Sequence, residues 1–348
     1  MEKALMDSKL DSVVQTIAQS KGTVMLIGST DCGKTTTAKY MLTKLCSISS
    51  KIGFIDSDIG QSTLGPPGTI GAATFSKFNP QKDCEMQAQN LKLTFIGEFT
   101  PVGHIMELIF GIKKMLDYLN QLNCAIILID TTGLVHGKTG LYLKKSKIEL
   151  IKPDHLIFFH KNKDLLTLIN IQTKAQNHFL TILDSVKTRS FEQRRSYRNR
   201  KITTYFKDSR EQPIAFPPII QWRKDIITCS ALSPAEIGRL TSLLQREIYF
   251  AAISHRTLII ASDSWFYCYI LHKIKEILPI DFIYILNKQQ LISKYISIED
   301  SNYDVLALGI VKDVDFKKQI FKLLSPDINS TKIQCLKFGT INMCRSGN

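Results

Sequence analysis

Gly28-Ser29-Thr30-Asp31-Cys32-Gly33-Lys34-Thr35 fills every fixed position of the pattern G-x-x-x-x-G-K-[ST]. A short apolar run, Thr23 to Ile27, leads into it, and residues 34–46 carry a helical pattern behind it. Glycines let the backbone turn so tightly that its N–H groups face inward. Backed by a helix N-terminus, those amides form a nest for an anionic phosphate. The lysine reaches the β- and γ-phosphates, and the threonine hydroxyl meets Mg2+. The stretch therefore predicts a nucleoside triphosphate site held by Gly28, Ser29, Thr30, Asp31, Cys32, Gly33, Lys34, Thr35 and Thr36. A strand, this loop and a helix also open a parallel α/β sheet.

Working outward, further apolar runs at 52–55, 91–96, 124–129 and 155–159 read as buried strands, with helices over 3–20, 103–121 and 139–151. Residues 60–80 hold Gly60, Gly65, Pro66, Pro67, Gly68 and Gly71 and read as one long functional loop. The fold expected is a P-loop NTPase parallel sheet flanked by helices over 23–212, after an N-terminal helix within 1–22. Pro213, Pro217 and Pro218 mark a change of texture. Beyond them, runs rich in β-branched and aromatic residues at 257–261, 282–286, 305–310 and 333–338 predict a smaller C-terminal α+β or β-barrel-like domain over 213–348.

Acids follow two of the strands: Asp56-Ser57-Asp58-Ile59-Gly60-Gln61, and Asp130-Thr131-Thr132-Gly133. Strand C-termini of a parallel sheet share one ligand crevice, so Asp56, Asp58 and Asp130 can converge beside the loop. Asp130, after four apolar strand residues, best fits a holder of Mg2+ with Thr35, directly or through water. Asp58 lies on a loop and suits a proton acceptor for a substrate hydroxyl. Asp130 to Gly133 also fits the D-x-x-G switch of GTPases. That reading needs a guanine reader N-K-x-D, yet Asn162-Lys163-Asp164 lacks the spacer and Asn287-Lys288-Gln289-Gln290 ends in the wrong residue.

The chain has 348 residues, 44% hydrophobic and 22% charged, which excludes a disordered, collagen-like or disulfide-scaffold protein. Its net charge is +14, with a pI near 9.3. Residues 151–212 hold 13 Lys and Arg against 6 Asp and Glu, so half the excess sits in the middle sixth. A focused positive patch suits a polyanion such as nucleic acid. The eight cysteines include no C-x-x-C pair, which argues against zinc and for a reducing, cytoplasmic setting. No signal peptide is read at the start, and no apolar run is long enough for a membrane span.

Taken together, the motifs resemble the polynucleotide 5′-hydroxyl kinase family, and its archaeal and bacterial members most. The resemblance covers most of 23–340. It rests on the phosphate loop, on Asp56 to Gln61 with Gly65-Pro66-Pro67-Gly68-Thr69-Ile70-Gly71, and on Phe99-Thr100-Pro101-Val102-Gly103-His104, which is similar to the family's substrate clasp. It rests also on Asp130 to Gly137, on Arg189 to Phe206 as a basic lid (about 187–210), and on 306–310 and 337–339 near the end. The family implies Mg2+-dependent transfer of the γ-phosphate of ATP, or another NTP, to the 5′-hydroxyl of RNA or DNA. By the same resemblance Lys34 holds phosphate and Asp58 orients or deprotonates the hydroxyl. Arg189 and Arg194 close over the phosphates, with Arg195 and Arg198 serving if the register slips. Gln61, Thr100, His104, Thr132 and Gly133 hold the substrate end. Two departures stand out. Leu134 occupies the place of a base-stacking Trp, and loss of such stacking costs about 1–3 kcal/mol. His104 replaces the clasp Asn, either touching phosphate or simply opening a helix. Base contacts then fall to residues such as Phe99 or Tyr197, and RNA-versus-DNA preference stays open. The competing classes are an ATP-binding scaffold of an RNA-processing complex with little turnover, and a GTPase-like regulator.

Overall fold

A computed structural model describes residues 2–49, 51–160, 174–181, 188–222, 225–228, 232–254, 256–262, 272–275 and 278–343. Asn162-Lys163-Asp164, Cys229, Cys268 and Cys344 lie outside them, as does Lys187 at the start of the expected lid. The chain forms two compact units, Met1–Thr204 and Tyr205–Asn348.

The first unit runs α1 (Glu2–Ser20), β1 (Gly22–Ile27), α2 (Lys34–Cys46), β2 (Ile52–Ser57), β3 (Thr69–Phe75), β4 (Gln89–Phe95), α3 (Ile105–Gln121), β5 (Ile126–Thr131), α4 (Gly137–Ile151), β6 (His155–His160), β7 (Gln176–Thr181) and α5 (Phe191–Tyr205). Its sheet has the order β4-β3-β2-β5-β1-β6-β7. Strands alternate faces with period two, so Val24 and Leu26 join the core under α1 and α2 while Met25 and Ile27 join the core under α3 and α4. With both faces covered, the central strands read as continuous apolar runs. β1, β2, β5, β6 and β7 are parallel, and Asp56 stands in register with Asp130. The loops after β1, β2 and β5 thus leave the same edge of the sheet.

Two expectations change. Residues 60–80 are not one loop, because Thr69–Phe75 is a strand with every residue buried. Its small residues are needed: a Cβ on Gly71 would meet the Leu64 carbonyl oxygen at 2.3 Å. The sheet is also not wholly parallel. β3 pairs antiparallel with β2 and β4, since the chain turns straight back after β2 instead of crossing over through a helix.

The second unit contains β8 (Arg210–Ala215), β9 (Ile219–Trp222), β10 (Asp225–Thr228), α6 (Pro234–Leu244), β11 (Phe250–Ser254), β12 (Thr257–Ala261), β13 (Phe282–Leu286), α7 (Lys288–Leu291), β14 (Lys294–Glu299), β15 (Val305–Asp315), β16 (Ile320–Ser325) and β17 (Cys335–Asn342). It has a seven-stranded sheet, β10-β9-β17-β14-β15-β16-β8, and a three-stranded one, β11-β12-β13. Aromatic packing joins them in one core, where Phe216 stacks on Phe321 with centroids 4.5 Å apart and meets Phe250 edge-on. The sequence put the change of texture at Pro213, whereas the compact units divide at Thr204. β8 starts before that proline and already pairs with β16.

Candidate functional site: a phosphate loop under a basic helix

β1 delivers the chain to Gly28, and α2 begins at Lys34 after Gly33 in the left-handed region, φ 94°. A side chain at Gly28 has no room, because its Cβ would lie 2.5 Å from Cys32 Sγ and 2.8 Å from Phe159 Cβ. No side chain caps α2, so its first amides and its dipole face the loop. Lys34 is buried, and its Nζ donates to the carbonyls of Gly28 (3.0 Å) and Ser29 (2.6 Å). Burial pushes the Cys32 thiol up, against the pull of Lys34 beside it.

The three acids separate into three roles. Thr35 Oγ1 donates to Asp130 Oδ2 at 2.6 Å. Asp130 Oδ1 is buried with no hydrogen-bond partner among the described residues. Burial holds the Asp130 carboxyl above the usual range, with Lys34 and the Thr35 hydroxyl opposing. A half-buried threonine hydroxyl that lines the cavity, beside an orphaned carboxylate oxygen, is a donor set that fits a divalent cation. Asp56 faces the wrong way for this. It accepts from the amides of Asp58 (3.0 Å), Thr63 (2.5 Å) and Leu64 (3.1 Å) and from the Thr63 hydroxyl (2.9 Å). It therefore pins the loop after β2, and burial raises its carboxyl to about 7 despite those donors. Asp58 alone of the three lines a cavity of about 350 Å³ with Lys34, Thr35, Gln61, Arg189 and Tyr197. Its Oδ1 accepts from the amides of Gly60 and Gln61, both at 3.1 Å.

α5 lies over this cavity. Arg194 Nη2 donates to Asp31 Oδ2 of the loop at 2.6 Å, and the Arg189 amide shares the same oxygen at 2.9 Å. Arg189 Nη1 donates to Gln61 Oε1 (3.3 Å), and the Tyr197 hydroxyl to the Ser62 carbonyl (2.8 Å). Arg198 sits over the Phe99 ring at 5.2 Å. Arg195 is exposed.

Of the clasp, Phe99 meets these groups through Arg198, whereas Thr100 and His104 stand apart. Thr100 is exposed, and its hydroxyl accepts from the Val102 amide at 3.4 Å. His104 is the N-cap of α3 without a capping bond, 3.8 Å from Glu107. Neither lines the cavity. Thr132 is buried, and Gly133 presses on the phosphate loop so closely that its Cβ would meet the Thr30 nitrogen at 2.5 Å.

Sequence reasoning missed Lys144 and Lys147 on α4, both with no exposed surface. The signal was present: they fall in the buried stripe of Gly140, Leu143, Ile148 and Ile151. Lys144 Nζ donates to Thr131 Oγ1 (2.7 Å) and the Thr132 carbonyl (2.6 Å). Lys147 Nζ has no hydrogen-bond partner among the described residues. Burial lowers the Lys147 ammonium to about 8, with Asp58 and Asp130 opposing. A folded value below the unfolded one means the unfolded chain binds more protons between about pH 8 and 10.5, so the contribution of Lys147 to stability improves as pH rises through that window. Lys147→Met is accordingly expected to stabilise the protein at pH 7 by about 3 kcal/mol. The gain should shrink as denaturation is repeated toward pH 10.5. A gain that stayed constant with pH would refute the buried cation.

Among the described residues no helix is long and apolar enough to cross a membrane. A family model described as mRNA cleavage and polyadenylation factor CLP1 P-loop matches residues 28–208. The chain is 28% identical over 328 residues to a protein of Methanocaldococcus jannaschii named polyribonucleotide 5′-hydroxyl-kinase, spanning 93% of this chain and 88% of that one. A protein of the same name from Pyrococcus abyssi is 27% identical over 334 residues, with the same shares. Among solved structures, a wild-type Clp1p–Pcf11p complex aligns with a TM-score of 0.61 at 14% identity, covering 98% of this chain and 79% of that one. That likeness is one of fold.

Proposed function

Because the chain belongs to the CLP1 P-loop family, whose model spans residues 28–208, we propose that it is a polynucleotide 5′-hydroxyl kinase acting on RNA or DNA ends with ATP as donor. The observation that carries the reading is one cavity in which Lys34, Thr35, Asp58, Gln61 and Arg189 meet. The relatives from Methanocaldococcus jannaschii and Pyrococcus abyssi, both named polyribonucleotide 5′-hydroxyl-kinase, support it.

Phosphoryl transfer is largely positioning and charge stabilisation. The amides of Gly28 to Thr36, with Lys34, cradle the β- and γ-phosphates. Thr35 and Asp130 would hold Mg2+, which supplies charge neutralisation across the phosphates when bound. Gln61 orients the substrate end, and Asp58 accepts the proton of the 5′-hydroxyl. The 5′ oxygen bonds to the γ-phosphorus, the bond to the β,γ-bridging oxygen breaks, and ADP leaves with that electron pair. Arg189, which lines the cavity, and Arg194, which bonds Asp31 of the loop, face the charge that develops on the transferred group. Thr132 and Gly133 shape the wall beside the loop. Thr100, His104, Arg195 and Arg198 lie on the strand's approach.

Incubation with γ-labelled ATP and matched RNA and DNA oligonucleotides tests the reading. Label should pass to 5′-hydroxyl ends and not to 5′-phosphorylated controls. ATP binding with no transfer to either polymer would reduce the protein to a scaffold. Single-strand affinity should also fall with salt, with a log–log slope of about −2 for three neutralised phosphates. Arg195→Ala should flatten that slope by about 0.7, and an unchanged slope would remove Arg195 from the strand path.

A further inference from the structure

Two lysines without exposed surface are costly in any protein, since a buried ammonium must be paired or neutral. Lys144 repays its burial with two hydrogen bonds, one to the Thr131 hydroxyl and one to the Thr132 carbonyl. The hydroxyl is fixed from its other side, because it donates to the Leu26 carbonyl of β1 at 2.7 Å. The turn after Asp130 is thus tied to the strand that feeds the phosphate loop and to α4 at once.

The second bond has a directional consequence. A trans peptide is planar, and its C=O and N–H point opposite ways. None of the peptides in the described residues is cis. With the Thr132 carbonyl held by Lys144 inside the protein, the Gly133 N–H is forced to the other side. Gly133 itself lies against the Thr30 backbone, where no Cβ is tolerated.

Resting on the kinase reading above, we propose that Lys144 is a positioning residue for phosphoryl transfer: through the Thr132 carbonyl it fixes the Thr132–Gly133 peptide against Thr30, and so sets the wall that meets the terminal phosphate. Burial, with Lys147 and Lys34 nearby, drives the Lys144 amine well below the ordinary lysine range, while Asp58 and Asp130 pull it back. A neutral amine has two N–H groups, and two acceptors face it. The role is therefore one of directed donors and does not need a charge.

Lys144→Met keeps the volume and removes both donors. Its kcat should fall on the order of 10²-fold, as misplacement of a positioning group does. KM for ATP should stay within about threefold of the original. Lys144→Gln, with two amide N–H groups on a shorter arm, should recover part of the loss. Phosphorus NMR of bound β,γ-imido ATP gives a readout that needs no turnover: the γ resonance should move in Lys144→Met while α and β stay. Should Lys144→Met fail to fold, Lys144→Gln carries the same test, with reduced kcat at near-original KM. Near-original kcat in the methionine variant overturns the proposal. So does a γ resonance that does not move, or one that moves together with α and β, or a joint collapse of kcat, KM and melting temperature in the glutamine variant. If the unaltered protein binds nucleotide but labels no ends, the kinase reading fails, and the NMR comparison still decides the part played by Lys144.

Discussion

Asp58→Asn is expected to lower kcat for 5′-end phosphorylation by about 10²–10⁴-fold, the range of a positioned proton acceptor. Asparagine keeps the size of the side chain, and its carbonyl oxygen can still accept from Gly60 and Gln61 as Asp58 Oδ1 does. The loop is independently pinned by Asp56, so the fold should survive. Nucleotide affinity should change little, because Lys34 and the loop amides carry it. Single-turnover kinetics with γ-labelled ATP, alongside a nucleotide titration, separate the two. Near-full activity in the asparagine variant would show that the hydroxyl needs no carboxylate at this place.

The second large effect belongs to Arg194. Its alanine variant should lose about 10³–10⁵ in kcat, as removal of a guanidinium from a developing phosphoryl charge does. Lysine should restore little, because it lacks the planar guanidinium fork that meets Asp31 through Nη2. Arg189→Ala provides the comparison, since Arg189 lines the cavity and bonds Gln61. If both variants keep kcat within tenfold, α5 and the segment leading into it are only a structural cover.

The phosphate loop was legible because its chemistry is local: eight consecutive residues dictate their own backbone and the helix that follows. The strand that ends just before Asp58 and the strand bearing Asp130 followed from apolar runs, which announce burial without any knowledge of partners. β3 was hidden because the Gly-Pro-Pro-Gly run before it and its own Gly71 mimic a turn, and only the close approach to Leu64 explains Gly71. Asp56 and Asp58 looked alike in sequence. What separates them is the set of amides from Thr63 and Leu64 that closes on Asp56, a matter of loop geometry. The buried lysines were readable from helical periodicity, but charged residues in a basic chain invite a solvated reading. In the second unit, β8 pairs with β16 and β9 with β17, partners far apart in sequence that no local pattern can join.

The hairpin-like return of β2 into β3 bears on how such an enzyme would open and shut. The segment carrying Asp58 is anchored at both ends by neighbouring strands and nailed in the middle by a buried acid, so it serves as a fixed anvil. The helix opposite has no fully buried side chain and grips the anvil through a few polar handholds. Motion in each cycle should then be one-sided, with the arginine-bearing arm lifting to release spent nucleotide while the acid waits in place.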